Sequence, residues 1–120
     1  MTRIELNEFD EGLLATAEGH AGYAPAGRDI VCAGISAILF GSLTFFGQQA
    51  KEQGEPAQFD VLYKPGSLII RVGDFTDGIE HMAMKVIRAQ LCTLEGDYPD
   101  YISVTYTDHR KNEEGGSEAV

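Results

Sequence analysis

Alternating polar and apolar residues open the chain and predict a β-hairpin. Residues 2–6 alternate as a half-buried strand does, and residues 7–12 form a polar turn rich in Asp and Glu. Residues 13–19 predict a second strand that pairs with the first. Residues 19–28 contain three glycines and one proline, which predicts a loop.

The second apolar stretch predicts a long helix. Asp29 is a favourable N-cap, and a helix should follow it to about residue 51. The apolar residues leave this helix no fully polar face: Ile30, Val31, Ala33, Ile35, Ile38, Leu39, Phe45 and Phe46. Such a helix lies centrally in the fold or also covers a partner subunit. The polar residues 48–58 predict a loop.

The rest of the chain repeats the pattern of a hairpin followed by a helix. Residues 59–63 and 68–72 predict two strands around a Pro-Gly turn at residues 64–67. A second helix is expected from about residue 77 to residue 94, because apolar residues recur there at helical spacing. They are Ile79, Met82, Ala83, Val86, Ile87, Leu91 and Leu94. Residues 101–107 alternate again and predict a last strand.

The predicted order of elements is therefore β-β-α-β-β-α-β. Hairpin connections imply a mostly antiparallel sheet with two packed helices, which is an α+β fold. Residues 1–108 should form a single domain. The polar residues 109–120 predict a disordered acidic tail.

Net charge limits the classes of partner. Nine basic residues stand against 19 acidic residues, which gives a formal net charge of −10. An acidic surface repels nucleic-acid phosphates and anionic membranes and attracts basic partners. Because no basic motif appears either, nucleic-acid binding is excluded. The alternative is that the acidity only keeps the protein soluble.

Several features predict a cytoplasmic protein without membrane contact. The N-terminus lacks a positively charged segment followed by an apolar one, so no signal peptide is expected. The apolar run at residues 30–46 is interrupted by glycine and serine, and we expect it to be too short and too polar to span a bilayer. Cys32 and Cys92 are far apart and indicate no disulfide framework.

His20 and Cys32 are the candidate catalytic residues. A cysteine attacks as its thiolate, and the start of a helix stabilises negative charge through the helix dipole and unpaired backbone N–H groups. His20 ends a strand and Cys32 begins the helix, so the flexible loop between them lets the two side chains meet. The imidazole can then accept the thiol proton. The N–H groups of the first helical turn could also stabilise the oxyanion of acyl transfer.

The sequence leaves the roles of Asp29 and Ser36 open. The Asp29 side chain either accepts a hydrogen bond from the Cys32 N–H, which would withdraw that group from the oxyanion, or orients His20. Ser36 lies one turn beyond Cys32 on the same helical face. Its hydroxyl could bind the substrate, His20 or a backbone carbonyl.

Residue types alone favour a structural interpretation of most of these side chains. A cysteine on an apolar helix is usually an inert core residue. Cys92 is accordingly expected in the core, His81 at the surface and His109 in the polar tail. The cysteines and histidines match no metal-ligand spacing, so we expect no metal and no cofactor.

The residues around His20 and Cys32 form a more specific pattern. Residues 19–23 (GHAGY), Gly27 and residues 29–33 (DIVCA) closely resemble the signature of the ribosomal-processing cysteine protease (Prp) family. The resemblance extends to Ser36 and to the order of the elements, so it spans nearly the whole chain.

This resemblance implies roles for individual residues. His20 and Cys32 correspond to the catalytic dyad of the family. Gly19, Asp29 and Ser36 correspond to its active-site motif. The glycine-rich loop is expected to move when substrate binds, and it includes Gly22, Tyr23 and Gly27.

The resemblance also implies a substrate and an assembly. Members of the family remove an N-terminal extension from a large-subunit ribosomal protein, cutting after bulky apolar residues that are typically a Phe-Phe pair. We therefore expect a cytoplasmic homodimeric thiol protease that acts in ribosome biogenesis. The acidic surface suits a basic ribosomal substrate.

Two other classes of function are alternatives to the protease. A non-catalytic acidic binding module could assist the assembly of a ribosomal protein, but such a module needs no nucleophile and base together. A thiol redox protein would need a resolving cysteine close to Cys32, and the sequence has none.

Overall fold

The secondary-structure elements follow one another in the predicted order, β-β-α-β-β-α-β. The computed structural model describes residues 1–54, 58–73, 75 and 78–111. The elements are β1 Thr2–Phe9, β2 Gly12–Glu18, α1 Ile30–Gln53, β3 Phe59–Lys64, β4 Ser67–Val72, α2 Ile79–Asp97 and β5 Ile102–Asp108. The predicted start of α2 near Asp77 lies outside the described residues.

The five strands form one mixed sheet in the order β3-β4-β2-β1-β5. Both hairpins are antiparallel, and so is the β2–β4 pair, whereas β5 lies parallel to β1. Parallel strands need a crossover rather than a tight turn, and α2 provides the crossover from β4 to β5. The predicted α+β fold with a mostly antiparallel sheet and two packed helices is confirmed, with one parallel pair at the β5 edge.

One face of the sheet carries the hydrophobic core. Ile4 and Leu6 of β1 pair with Ala17 and Ala15 of β2, and all four side chains are buried. Their neighbours in sequence point to the opposite face, where Arg3 is exposed. Both helices contribute to the same core cluster, so the fold has two layers.

Helix α1 is capped at both ends and is longer than predicted. The Asp29 side chain accepts hydrogen bonds from backbone N–H groups of the first turn, and Gly54 ends the helix at φ 67°. The prediction of a loop from residue 48 was wrong, because α1 continues to Gln53 and buries Ala50. Glutamine, alanine, lysine and glutamate are good helix formers, so this polar segment continues the helix. It buries Ala50 and exposes its other side to solvent.

Most of α1 is apolar, but only one stripe of it is buried. The buried residues recur every three or four positions: Val31, Ile35, Leu39, Ser42, Phe46 and Ala50. By length and composition alone this helix could cross a membrane, with a mean hydropathy of 2.0 over its most apolar window. Residues 30–46, which were expected to be too short and too polar to span a bilayer, are only part of this helix, which extends to Gln53. Here the stripe packs on the sheet as a core helix does.

The apolar stripe predicted for α2 is divided between two environments. Met84, Ile87 and Leu91 are buried against the sheet, whereas Met82 and Val86 are 62% and 52% exposed. Cys92 was expected in the core, and that prediction was wrong because its side chain is exposed. It follows the buried Leu91 and is therefore rotated by about 100° around the helix axis, away from the sheet.

Glu8, Glu80, His81 and Tyr106 form a polar cluster beside the core. Glu8 is 1% exposed and accepts a hydrogen bond from the Tyr106 hydroxyl. Burial, followed by that hydrogen bond, raises the pKa of Tyr106 to about 12. His81 was expected at the surface, but its side chain is only 20% exposed, and its ring lies between Glu8 Oε2 at 2.6 Å and Glu80 Oε2 at 3.1 Å. The cluster joins β1, α2 and β5.

The chain beyond β5 continues to contact the domain. The His109 ring stacks on Phe9 with 4.5 Å between centroids, and its Nε2 lies 2.9 Å from Asn7 Oδ1. The predicted tail of residues 109–120 therefore includes at least one residue that packs on β1. The remainder of that prediction, residues 112–120, lies outside the described residues.

Candidate active site

His20 and Cys32 line the same cavity, as the loop between them predicts. The cavity has a volume of about 230 Å³ and lies between the first turns of α1 and the β3–β4 turn. Strand β2 pairs with β4 up to Glu18 and Ser67, so its end lies beside that turn. His20 follows this end after one residue, Gly19, and α1 presents Cys32 from its first turn.

The wall of the cavity beyond Cys32 is mainly apolar. It is formed by successive turns of α1 and by the hairpin: Ile35, Leu39, Phe40, Tyr63, Pro65 and Leu68. The rings of Phe40 and Tyr63 meet edge to face with 5.5 Å between their centroids. An apolar wall with an aromatic pair suits a bulky apolar side chain.

His20 and Cys32 line one cavity but are not joined by a hydrogen bond. Cys32 is partly buried and is the third residue of α1, where the helix dipole stabilises a negative charge. Among the described residues, the His20 imidazole and the Cys32 thiol make no hydrogen bond with each other. Catalytic hydrogen bonds often form only when substrate binds, so this arrangement is compatible with a His–Cys dyad.

Asp29 takes the first of the two roles that the sequence left open. Its Oδ1 accepts hydrogen bonds from the N–H groups of Val31 and Cys32, and its Oδ2 accepts from those of Tyr23 and Ala24. Burial raises the pKa of this carboxyl, but the four backbone donors outweigh that effect and leave the pKa below its usual value. Asp29 therefore ties the loop to the helix, and the Cys32 N–H is not available to an oxyanion in this conformation.

Ser36 lies one turn beyond Cys32 and lines the cavity. Its side chain is exposed, and within the described residues its hydroxyl makes no hydrogen bond. It is therefore available to a bound substrate.

The glycine-rich loop does not lie over the cavity. Tyr23 packs edge to face against Tyr98 and Tyr101, at 5.4 Å and 5.1 Å between ring centroids. Gly22 and Gly27 have φ values of 78° and 85° and lie on either side of the Tyr23–Ala24 segment that Asp29 holds. None of the residues 22–27 lines the cavity. The loop is held against the end of α2 and the start of β5.

Two residues near His20 were missed by the sequence analysis. Thr2 is 4% exposed, and its hydroxyl donates to the Gly19 carbonyl at 3.0 Å. Gly66 lies beside the Nε2 side of the His20 ring. The Pro-Gly turn was a visible signal, but only the pairing of β2 with β4 places it beside His20. No group of three or more metal-ligating side chains occurs in the described part of the chain.

Comparison with known proteins gives a consistent result. The family model for cysteine protease Prp matches residues 1–103. The ribosomal processing cysteine protease Prp of Mycoplasma pneumoniae is 34% identical over 102 residues, covering 82% of this chain and 89% of that protein. The protein of the same name from Staphylococcus aureus is 30% identical over 108 residues, covering 88% of this chain and 99% of that protein.

Solved structures show the same fold. A crystal structure of an essential ribosomal processing protease Prp from S. aureus, with a covalently linked product peptide, matches with a TM-score of 0.71. It is 29% identical and covers 89% of this chain and 100% of that one. A second S. aureus structure, with a substrate peptide, matches with a TM-score of 0.67 at 27% identity and the same coverage.

Proposed function

The chain belongs to the cysteine protease Prp family and is thus a cysteine protease, and we propose that Cys32 is its nucleophile and His20 its general base. The observation that carries this assignment is their position on one cavity, with Cys32 in the first turn of α1. Cys92 is the only other cysteine in the sequence, and it lies on the exposed side of α2.

The proposed reaction is acyl transfer through the Cys32 sulfur. His20 accepts the thiol proton, and the thiolate attacks the carbonyl carbon of the scissile peptide bond to form a tetrahedral intermediate. His20 then returns the proton to the leaving amine. Water hydrolyses the resulting thioester and regenerates the thiol. Because Asp29 occupies the Cys32 N–H, either the oxyanion uses other donors or Asp29 releases this N–H when substrate binds.

The proposed substrate is a large-subunit ribosomal protein with an N-terminal extension. The names of the relatives and the peptides bound to the S. aureus protease support this class of substrate. Two features of this chain agree with it. The net charge of −10 attracts a basic ribosomal protein. The wall that includes Leu39, Phe40 and Tyr63 suits bulky apolar residues before the cut. Ribosomal proteins are made in the cytoplasm, so we propose that the protease acts there.

A cleavage assay tests this assignment. The purified protein is incubated with the extended ribosomal protein of its host, and mass spectrometry identifies the products. We expect one cut by the wild type and by Cys92→Ala, the matched control, and none by Cys32→Ala or His20→Ala. Cleavage by Cys32→Ala would refute the proposed nucleophile. Binding without cleavage by the wild type would favour the non-catalytic binding module instead.

We further propose that two copies of the chain pair through the groove between α1 and α2. The groove has a volume of about 600 Å³, and none of the described residues that line it is charged. Phe45, Met82 and Val86 expose apolar surface there. On a chain with a net charge of −10, an uncharged face is where a second, equally acidic copy can approach with least repulsion.

A further inference from the structure

The His20 ring lies against the turn of the β3–β4 hairpin. Gly66, in that turn, has a φ of 80° and carries only hydrogen on its Cα. A Cβ placed there would lie 3.0 Å from His20 Nε2 and 3.5 Å from both Cδ2 and Cε1. Carbon atoms in ordinary contact are about 3.5–4.0 Å from their neighbours. Any side chain at position 66 would therefore press on the Nε2 edge of the imidazole.

The same turn also fixes the backbone that leads to His20. The Gly19 N–H donates to the Gly66 carbonyl at 2.7 Å, and the Gly19 carbonyl accepts from the Thr2 hydroxyl at 3.0 Å. A Cβ at Gly19 would lie only 2.7 Å from the Met1 carbonyl oxygen, so this backbone also lies close to the N-terminal residues. The main chain before His20 is thus held from two sides, by β1 and by the hairpin.

The imidazole itself is much less constrained than its backbone. His20 is exposed, and within the described residues its ring makes no hydrogen bond. Among the described residues, Gly66 is therefore the neighbour that limits how far Nε2 can move towards the hairpin.

We propose that Gly66 is a positioning residue, whose bare Cα sets the place of the His20 imidazole relative to Cys32. This inference rests on the proposed role of His20 as the general base. Gly66 itself touches no reacting atom. It acts by leaving space for the ring on one side and limiting its movement towards the hairpin.

A methyl group at position 66 should displace the ring rather than the hairpin. Since His20 is exposed, its side chain can rotate outward by a few tenths of an ångström, the amount needed to restore an ordinary contact. The cost to stability is then mainly that of a non-glycine residue at positive φ, which the matched control below also carries. Proton transfer needs the base within hydrogen-bonding reach of the thiol, so the displacement should lower the rate much more than the stability.

The test compares two substitutions of Gly66 with a matched substitution elsewhere. Gly54 has a similar φ of 67°, and a Cβ there meets no described atom within 4 Å. Gly54→Ala therefore adds the same backbone strain without touching His20. Gly66→Asn adds the same Cβ as Gly66→Ala, but asparagine tolerates positive φ, so it keeps the test valid if the alanine variant folds poorly.

Two readouts separate positioning from stability. The first is the rate of iodoacetamide alkylation of Cys32 against pH, in a Cys92→Ala background. The second is kcat and KM for the N-terminal extension peptide of the ribosomal protein. We expect both Gly66 variants to lower kcat on the order of tenfold with KM within about twofold. Their alkylation profiles should move towards that of His20→Ala, and Gly54→Ala should match the wild type in both assays.

The outcomes distinguish this inference from the proposed function. Wild-type alkylation profiles in both Gly66 variants would overturn the positioning role. An unchanged profile in His20→Ala would overturn it together with the proposed base. If the wild type does not cleave the peptide but alkylation depends on both His20 and Gly66, the positioning role stands and the proposed substrate is wrong.

Discussion

The Asp29 carboxylate offers the sharpest test of how the site is held together. Asp29→Asn keeps the shape of the side chain but replaces one oxygen with an NH₂ group. Asparagine is as good an N-cap as aspartate, so the two hydrogen bonds from the first helical turn to Oδ1 should persist. The N–H groups of Tyr23 and Ala24 would then face a donor instead of Oδ2, which now accepts them at 2.9 Å and 3.3 Å.

The expected cost follows from these two hydrogen bonds. A hydrogen bond to a charged acceptor contributes about 1.5–3 kcal/mol, and the 3.3 Å bond is long. We therefore expect Asp29→Asn to lower the free energy of unfolding by about 2 kcal/mol at pH 7. The control is Asp60→Asn, which removes the same charge from an exposed position on β3 and should change stability by less than about 0.5 kcal/mol.

The pH dependence provides a second criterion. Because the pKa of Asp29 is lowered in the folded protein, its carboxylate stabilises the fold fully above its unfolded value of 3.8. That contribution is lost as the pH falls through the lower, folded pKa. The difference between wild type and Asp29→Asn should therefore shrink at pH values below 3.8.

Urea unfolding monitored by far-UV circular dichroism measures these differences, since the chain has no tryptophan for fluorescence. An Asp29→Asn variant as stable as Asp60→Asn at pH 7 would show that the loop hydrogen bonds contribute little. A deficit that persists unchanged at pH 2.5 would show that the loss is not due to the carboxylate.

Two further predictions concern the core and the assembly. Phe46 is fully buried and stacks on Phe75, so Phe46→Ala should lower the free energy of unfolding by about 3–5 kcal/mol. Phe45 is partly exposed, so Phe45→Ala should lower it by much less. Equal losses in urea unfolding would contradict the observed burial. Val86→Glu places a charge in the α1–α2 groove, so it should convert the proposed dimer to a monomer, as measured by sedimentation velocity. The control is Lys85→Glu, which lies beside Val86 but outside the groove and should leave the dimer intact. A monomeric wild type at micromolar concentration would refute the proposed pairing.

Much of this protein could be predicted from local sequence. The alternation in β1 and β2, the Pro-Gly turn of the second hairpin and the Asp29 cap each depend on residues within a few positions of one another. Strands and helices can be told apart locally because their side chains repeat with different periods. Turns and helix starts are specified by single residues such as Gly, Pro and Asp. The pair formed by His20 and Cys32 was also visible, because a short glycine-rich loop joins them and the surrounding residues resemble a family signature.

Other features depend on contacts between distant segments, and only the tertiary structure decided them. The burial of Cys92 was predicted wrongly, and the apolar stripe of α2 includes the exposed Met82, since helical spacing shows that residues share a face but not what that face packs against. Gly66 lies 46 positions from His20 and meets it only because β2 pairs with β4. The parallel β1–β5 edge likewise brings Glu8 to Tyr106. The sequence thus determined the order of the elements and the candidate catalytic residues. The sheet order determined their neighbours, because strand pairing is set by burial of the whole core face rather than by any single segment.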